Sequence, residues 1–468
     1  MSSIIEVIFA LAIAHFVLAN LIGLVLVGAA SRSVSRRWQQ TRRLEAPDLV
    51  PSPLMVPLSA IVPAFNEQAA VIDAVLSLLN SEVTELEVIV VDDGSTDDTA
   101  ASLVARFDLV AVEATHLQPL KTCKVEEVLR SRAHPNLWLI RKQNGGKADA
   151  VNAGANLARY RYILMTDADS IFEPGALPAA MTAIGFDAGA HVGVGGMIRV
   201  RNGMKVSDGR IVEWRLPSSM LGQFQVVEYM GAMAGSRAGW NYINGVPVLS
   251  GAFSIWRRDV LLELGGMTPE TTHEDIEFTF RVHEHFRRQR EPYMITMLSD
   301  AVIWTEAPHR WRDLYAQRKR WQRVVFECVW RYRRMIANPK YGEFGTITMP
   351  YMFLFEALGP FVEVVTIALV VFLFLQGMLS AQYLALFLVF SAALVGLTRI
   401  AAIVVDTALY RRFPPRALVR LALVALLELF LYRPIILIAR IMAFPEFLTG
   451  RKTWERAQRQ PAEAAANA

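Results

Sequence analysis

The chain has 468 residues, and its 48 Lys and Arg against 44 Asp and Glu leave a formal charge of +4, too close to balance to mark a nucleic-acid binder. Its hydrophobic residues, 53% of the total, gather at the two ends, which excludes a string of ordinary soluble domains. Two distant cysteines, Cys123 and Cys328, exclude a disulfide framework or a zinc site and read as free thiols in a reducing compartment.

Residues 4–29 form an almost unbroken apolar stretch, longer than the roughly 20 helical residues that cross a bilayer. Arg32, Arg36, Arg37, Arg42 and Arg43 follow it rather than precede it, which predicts an anchor rather than a signal peptide. The positive-inside rule places those arginines, and the middle of the chain, in the cytoplasm.

The middle reads as α/β. Apolar runs at 58–63, 86–91, 137–141 and 162–166 predict strands, and helical patterns follow at 69–79, from Asp97, and after the Asn144-Gly145-Gly146 turn. Strands alternating with helices make a largely parallel sheet, whose ligands bind beyond the carboxyl ends of the strands. Polar motifs stand at those ends.

Asp92-Asp93-Gly94-Ser95 has the composition of a turn, and Asp97 can cap the next helix. A carboxylate there can also accept hydrogen bonds from a base or ribose. Asp167 and Asp169 are two apart, so on an extended strand end they point to one side and repel unless a cation lies between them or one is protonated. A hard divalent ion that also binds diphosphate oxygens resolves that repulsion. Asn144 to Ala150 lacks Walker or dinucleotide spacing, but Lys147 at a helix start can reach phosphates or a base. At the start of the helix predicted at 276–286, His273, Glu274, Asp275 and Glu277 cluster more densely than a favourable helix dipole requires. A carboxylate there can act as the base that a sugar hydroxyl needs in order to attack an activated sugar. His283 and His285 read as surface residues.

Gln317, Arg320 and Trp321 fall at i, i+3 and i+4 of a helix, so an amide, a guanidinium and an indole share one face suited to a phosphate and a sugar ring. Around them Arg310, Arg312, Arg318, Lys319, Arg323, Arg331, Arg333 and Arg334 alternate with Trp311, Trp330 and Tyr332, a pattern fitted to an anionic membrane surface. Further spans are predicted at 352–375, 383–405 and 418–444. Tyr432-Arg433-Pro434 interrupts the last, leaving one span or a half-span with an interfacial helix, and the basic loop at 410–416 is cytoplasmic. Glu356, Glu363, Arg399, Asp406, Glu428 and Arg433 lie within apolar runs and need ion-pair or polymer partners.

Residues 58–341 resemble the membrane-integrated processive glycosyltransferases of family 2, which have the GT-A fold and include cellulose, chitin, hyaluronan and poly-N-acetylglucosamine synthases. The resemblance rests on an ordered set: Val62 to Glu67, Asp92 to Ser95, Gly146-Lys147-Ala148, Asp167-Ala168-Asp169, Ser250-Gly251-Ala252, His273-Glu274-Asp275 and Gln317 to Trp321. It implies that Asp93 holds the uridine with Asn66, Glu67 and Lys147 nearby, and that Asp167 and Asp169 hold the diphosphate and its Mg²⁺ or Mn²⁺. Asp275 would be the general base, beside Glu274. Gln317, Arg320 and Trp321 would bind pyrophosphate and acceptor sugar, and Gly251 would let the backbone approach that acceptor. Three departures stand out: His273 replaces the usual Thr, no Phe-x-Val-Thr gate follows Trp321, and the length leaves no room for an appended cyclic-dinucleotide domain. The resemblance is therefore to the shorter poly-N-acetylglucosamine-type or uncharacterised exopolysaccharide synthases.

The expected organisation is an anchor at 1–31, a basic linker at 32–54, a cytoplasmic GT-A (Rossmann-like) domain at 55–308, interfacial helices at 309–345, a membrane region at 346–450 and a polar tail at 451–468. The expected activity is inverting, processive transfer from UDP-N-acetylglucosamine or UDP-glucose to a growing β-linked exopolysaccharide at the inner membrane. Accessory secretion subunits are admitted as partners; nucleic acid is not. The alternatives are single transfer to a lipid carrier, or a non-catalytic transport or scaffold subunit.

Overall fold

The computed structural model describes residues 2–44, 55–113, 119–186, 190–269, 274–409 and 413–450. Residues 45–54 of the expected linker, His273, the basic loop residues 410–412 and the tail 451–468 lie outside the described residues. The chain divides into two compact units.

The sheet unit comprises Ser35–Pro217 and Val246–Ala307. Ten of its strands form one sheet: β1 (Leu58–Ala64), β2 (Leu86–Asp92), β3 (Leu109–Ala111), β4 (Val125–Ser131), β5 (Leu137–Lys142), β6 (Tyr162–Met165), β7 (Ile171–Phe172), β8 (His191–Val200), β11 (Ser254–Arg257) and β12 (Met294–Thr305). The remaining two, β9 (Lys205–Ser207) and β10 (Arg210–Glu213), make a separate hairpin. The spatial order is β3-β4-β5-β2-β1-β6-β11-β8-β12-β7. β5, β2, β1 and β6 run parallel, while β11 lies antiparallel between β6 and β8. β2, β6 and β8 are buried along their whole length, as expected of strands covered on both faces. The four strands predicted from apolar runs are β1, β2, β5 and β6; the predicted helices are α2 (Val71–Leu79), α3 (Thr99–Phe107) and α4 (Lys147–Leu157). On α4, Gly154 lets the helix lie directly on β1, since a Cβ there would fall 2.5 Å from Ile61 Cγ2. Also in this unit are α5 (Ala176–Phe186), α7 (Arg258–Glu263) and α8 (Glu274–Gln289).

The helical unit comprises residues 2–34, Ser218–Gly245 and the chain from Pro308. Ser218–Gly245, within the expected 55–308 domain, groups with the helices. The reason is packing: α6 (Met220–Met233) is buried around most of its circumference. The other helices are α1 (Ser2–Leu44), α9 (Trp311–Arg331), the short α10 (Met349–Tyr351) between two π-helical stretches (Phe344–Thr348 and Met352–Ala357), α11 (Gly359–Leu375), α12 (Ala381–Leu409), α13 (Pro415–Leu431) and α14 (Arg433–Thr449). Among the described residues two helices are long and apolar enough to cross a membrane, Val7–Arg36 and Ala381–Ala408, and two bent pairs raise the number to as many as four. The second pair bends by 49° between Leu431 and Arg433, at the interruption seen in the sequence. Gly231 of α6 and Gly235 just beyond its end admit Arg399 and Ala402 of α12; a Cβ on Gly235 would lie 2.7 Å from Ala402 Cβ. Ion pairs account for most charges in the apolar runs: Arg399 to Glu428 at 2.8 Å, Arg433 to Glu363 at 2.7 Å and Arg440 to Glu356 at 3.0 Å.

Candidate active site

The first motifs sit where β1 and β2 end. Asn66 has φ of +55°, a left-handed conformation that Asn tolerates, and its side-chain oxygen accepts from the Thr96 N–H at 2.7 Å. Its own N–H donates to Ser95 Oγ at 2.9 Å, and the Glu67 N–H donates to Thr99 Oγ1 at 2.8 Å. Asn66-Glu67 therefore clamps the loop that follows β2. Asp97 accepts from the Thr99 N–H at 3.0 Å, securing the start of α3.

Asp93 faces inward. One carboxylate oxygen accepts from Lys142 Nζ at 2.5 Å and the Gly145 N–H at 3.0 Å; the other accepts from the Gly146 N–H at 2.8 Å. Lys142 also meets Asp149 at 2.6 Å, and Asp149 accepts from the Cys123 N–H at 3.0 Å. Lys142, which the sequence reading passed over, is thus the centre of a buried Asp93–Lys142–Asp149 triad. Burial pushes the Asp93 carboxyl above its ordinary value, although Lys142 and the two glycine N–H groups pull against it. The result is a turn of fixed shape: Gly146 has φ of +87°, and Asn144 donates to the Asp93 carbonyl at 2.8 Å. The carboxylate assigned to the uridine holds this turn. Asn152 and Asn156 of α4, buried and likewise unremarked, bond both backbone groups of Met267 and Leu120, respectively, at 2.8–3.1 Å.

The turn delivers Lys147 to a carboxylate cluster. Its ammonium lies 2.5 Å from Asp167 Oδ1 and 3.4 Å from Glu274 Oε1. Burial opposes its charge, but Asp167, Glu274 and Asp275 outweigh that and hold it firmly protonated. Burial, with Asp275 close by, raises the Glu274 carboxyl against the pull of Lys147. Asp275 is held at both oxygens, by the Gly251 N–H at 2.9 Å and the Ile276 N–H at 2.8 Å. A Cβ on Gly251 would lie 2.8 Å from Lys147 Nζ, so glycine is what this approach tolerates. Lys147, Asp167, Gly251, Glu274 and Asp275 are therefore one cluster.

Asp169 is buried, and burial together with Asp167 pushes its carboxyl up to about 7, against the pull of Arg201. A divalent cation would relieve that repulsion. Among the described residues no three His, Cys, Asp or Glu side chains gather to cage a metal. The Asp167–Asp169 pair would suit a divalent ion that also takes substrate phosphate oxygens. Glu277 has a structural role, pairing with Arg281 at 3.0 Å. The surface placement expected of His283 is corrected: it is fully buried, with its ring nitrogens on Tyr293 Oη at 2.5 Å and the Val246 carbonyl at 2.9 Å. Its neighbour His285 is partly buried and lies 3.4 Å from Glu263.

In the helical unit, Gln317, Arg320 and Trp321 lie on α9, and Trp321 is 36% exposed. The deeply buried cation of this motif is Arg318. It pairs with Glu228 of α6 and stacks over the Trp321 ring at 4.1 Å.

Residues 56–323, more than half of the chain, match the profile described as Glycosyltransferase like family 2. A poly-beta-1,6-N-acetyl-D-glucosamine synthase of Staphylococcus epidermidis is 26% identical over 275 residues, covering 58% of this chain and 56% of that protein. The synthase of the same name from Staphylococcus aureus (strain COL) is 24% identical over 276 residues, with the same coverage. The chain thus spans little more than half the length of these relatives. Among solved structures, a mannosyltransferase from Pyrobaculum calidifontis in complex with GDP-Man and Mn²⁺ covers 93% of this chain and all of its own, at TM-score 0.48 and 19% identity. With its GT-A-like mixed sheet and the family motifs at the strand ends, the chain belongs to glycosyltransferase-like family 2.

Proposed function

We propose that this chain is an inverting, processive glycosyltransferase that adds N-acetylglucosamine from UDP-N-acetylglucosamine to a β-linked polysaccharide at the cytoplasmic face of the inner membrane. The observation that carries the reading is Asp275, oriented by two backbone N–H groups within a cluster shared with Lys147, Asp167 and Glu274. The names of the two staphylococcal relatives support the choice of sugar.

In this reading Asp275 accepts the proton of the acceptor hydroxyl as its oxygen attacks the anomeric carbon and the bond to UDP breaks on the opposite face. Glu274 tunes that base. Lys147 and Arg320 offset charge developing on the departing diphosphate. Asn66, Glu67 and Asp93 shape the nucleoside site, the last through the turn it anchors. Gln317 and Trp321 receive pyrophosphate and acceptor sugar, with Gly251 giving the acceptor access. A Mg²⁺ or Mn²⁺ ion held by Asp167 and Asp169 would supply further neutralisation at the diphosphate. The membrane helices offer the product a way out, with or without accessory secretion subunits.

Asp275→Asn tests the assignment. In purified full-length protein it is expected to lower UDP release and polymer formation by at least about 100-fold while UDP-N-acetylglucosamine still binds. Undiminished transfer would remove Asp275 as the base. A product of one sugar on a lipid would replace processive synthesis by transfer to a carrier.

A further inference from the structure

Arg318 sits on the inner face of α9 in line with Leu314 and Gln322, and its side chain is only 4% exposed. A cation so placed must be paired, because an isolated charge in such surroundings costs several kcal/mol. Glu228 of α6 provides the partner: Arg318 Nε donates to Glu228 Oε1 at 3.1 Å, and Nη2 donates to Oε2. Burial alone would raise the Glu228 carboxyl, but Arg318 reverses this and holds it low. Tyr432, at the break between α13 and α14, completes the set by donating to Glu228 Oε2 at 2.6 Å. The Tyr432 ring stacks on Phe224 at 5.2 Å, so three separate parts of the unit fix one guanidinium.

That guanidinium touches two members of the motif. Its plane lies 4.1 Å from the Trp321 ring centroid, and Nη1 donates to Gln317 Oε1. Fixing the Gln317 oxygen on Arg318 leaves its amide N–H groups as the donors that can meet an anionic ligand. Arg320 lies on the same helix but plays no part in the pairing with Glu228. We infer that Glu228, Arg318 and Tyr432 form a positioning unit that sets the orientation of Trp321 and Gln317, and so the acceptor-binding face of α9. This rests on the proposed role of Trp321 as the acceptor platform, and the test separates the two.

The full-length protein is assayed with UDP-N-acetylglucosamine for UDP release and product length. Glu228→Gln is expected to lower kcat for polymer formation by roughly 10- to 100-fold and to shorten the product, with at most about a few-fold rise in KM for the nucleotide sugar through Gln317, because misplacement alone has effects of that size. Tyr432→Phe, which keeps the ion pair, should be affected less. The decisive measurement is the double variant with Trp321→Ala: if Glu228 acts through Trp321, Glu228→Gln adds no further loss in that background. An undiminished loss there, or no loss from Glu228→Gln alone, overturns the inference. If Trp321→Ala is itself fully active, the acceptor-platform reading falls, and the inference falls with it. Should Glu228→Gln fail to fold, Glu228→Gln with Arg318→Met removes both charges together. A folded, fully active double variant would equally overturn the inference, and a folded but slow one supports it.

Discussion

Lys142→Met is the most exacting test of how the sheet unit builds its site. The Lys142 side chain is 0% exposed, with Asp93 at 4% and Asp149 at 8%, and its ammonium lies 2.5 and 2.6 Å from the two carboxylates. Removing one partner of a buried ion pair costs about 3–5 kcal/mol, because the other charge stays buried without compensation. Here two carboxylates lose a partner, but Asp93 keeps the Gly145 and Gly146 N–H groups and Asp149 keeps that of Cys123. Those remaining donors hold the cost within that range rather than at twice it. For a unit of this size about 3–5 kcal/mol corresponds to a fall of roughly 6–20 °C in Tm, to be read by thermal unfolding of the purified full-length chain.

The sign of the pH dependence is also fixed. Burial already raises the Asp93 carboxyl above the value of 3.8 that it has when unfolded, and without Lys142 it rises further. An acid raised in the folded state loses stability as pH climbs through its folded value. The Tm deficit of Lys142→Met relative to wild type should therefore be larger at pH 8 than at pH 5. Adding Asp93→Asn and Asp149→Asn should recover most of the Tm, since neutral groups replace the stranded charges, but not affinity for UDP-N-acetylglucosamine, since the turn stays unanchored. A Tm for Lys142→Met within 2 °C of wild type would refute the argument that the triad is a closed, interdependent set.

Two other perturbations read neighbouring contacts. Gly251→Ala places a methyl 2.8 Å from Lys147 Nζ, the free end of a flexible side chain, so it should leave Tm nearly unchanged but lower kcat/KM for the nucleotide sugar several-fold; steady-state UDP release checks this. His283, buried as the neutral ring, has its pKa pushed down to about 3 from 6.5, chiefly by burial. As pH falls below 6.5 the unfolded chain takes up a proton that the folded chain refuses, which removes about 2 kcal/mol by pH 5. His283→Gln should flatten that part of the Tm–pH curve.

The elements legible in the sequence were those whose physics is local. β1, β2, β5 and β6 are apolar runs that stop at polar motifs, and the carboxyl-end rule points from them to the candidate site. β8 was not legible, because Gly193, Gly195 and Gly196 interrupt its pattern; those glycines make room for the large side chains of Trp256, Met297 and Phe253. Helix α6 groups with the helices although Gln223, Gln225 and Glu228 give its sequence a polar character. Inside the helical unit the Gln225 amide N–H donates to the Pro308 carbonyl at 2.9 Å, and Glu228 pairs with Arg318. Lys142 and Arg318 escaped for one reason. Whether a cation is buried depends on a carboxylate 49 or 90 residues away, and no window along the chain contains both. His283 was read as a surface residue for the same reason: its partners are Val246 and Tyr293, and only the fold brings the first to it.

The donors present also decide which acids remain for chemistry. Asp93 and Asp149 are set apart by burial: their side chains are 4% and 8% exposed and meet Lys142 and backbone N–H groups within the protein. Asp275 has one backbone donor on each oxygen, and a carboxylate offers about four lone-pair sites. It is oriented yet still able to accept a proton. The Asp167 side chain is 37% exposed and is met by Lys147 on one oxygen. It keeps room for a cation or a phosphate-bound ion. The same motif letter, Asp, therefore marks two different roles in this chain. In the proposed reading, Asp93 and Asp149 give the site its shape, and Asp167 and Asp275 face what enters it. Substitution to Asn separates them: at the first pair the loss should appear in Tm and in nucleotide-sugar affinity together, and at the second in turnover with Tm preserved.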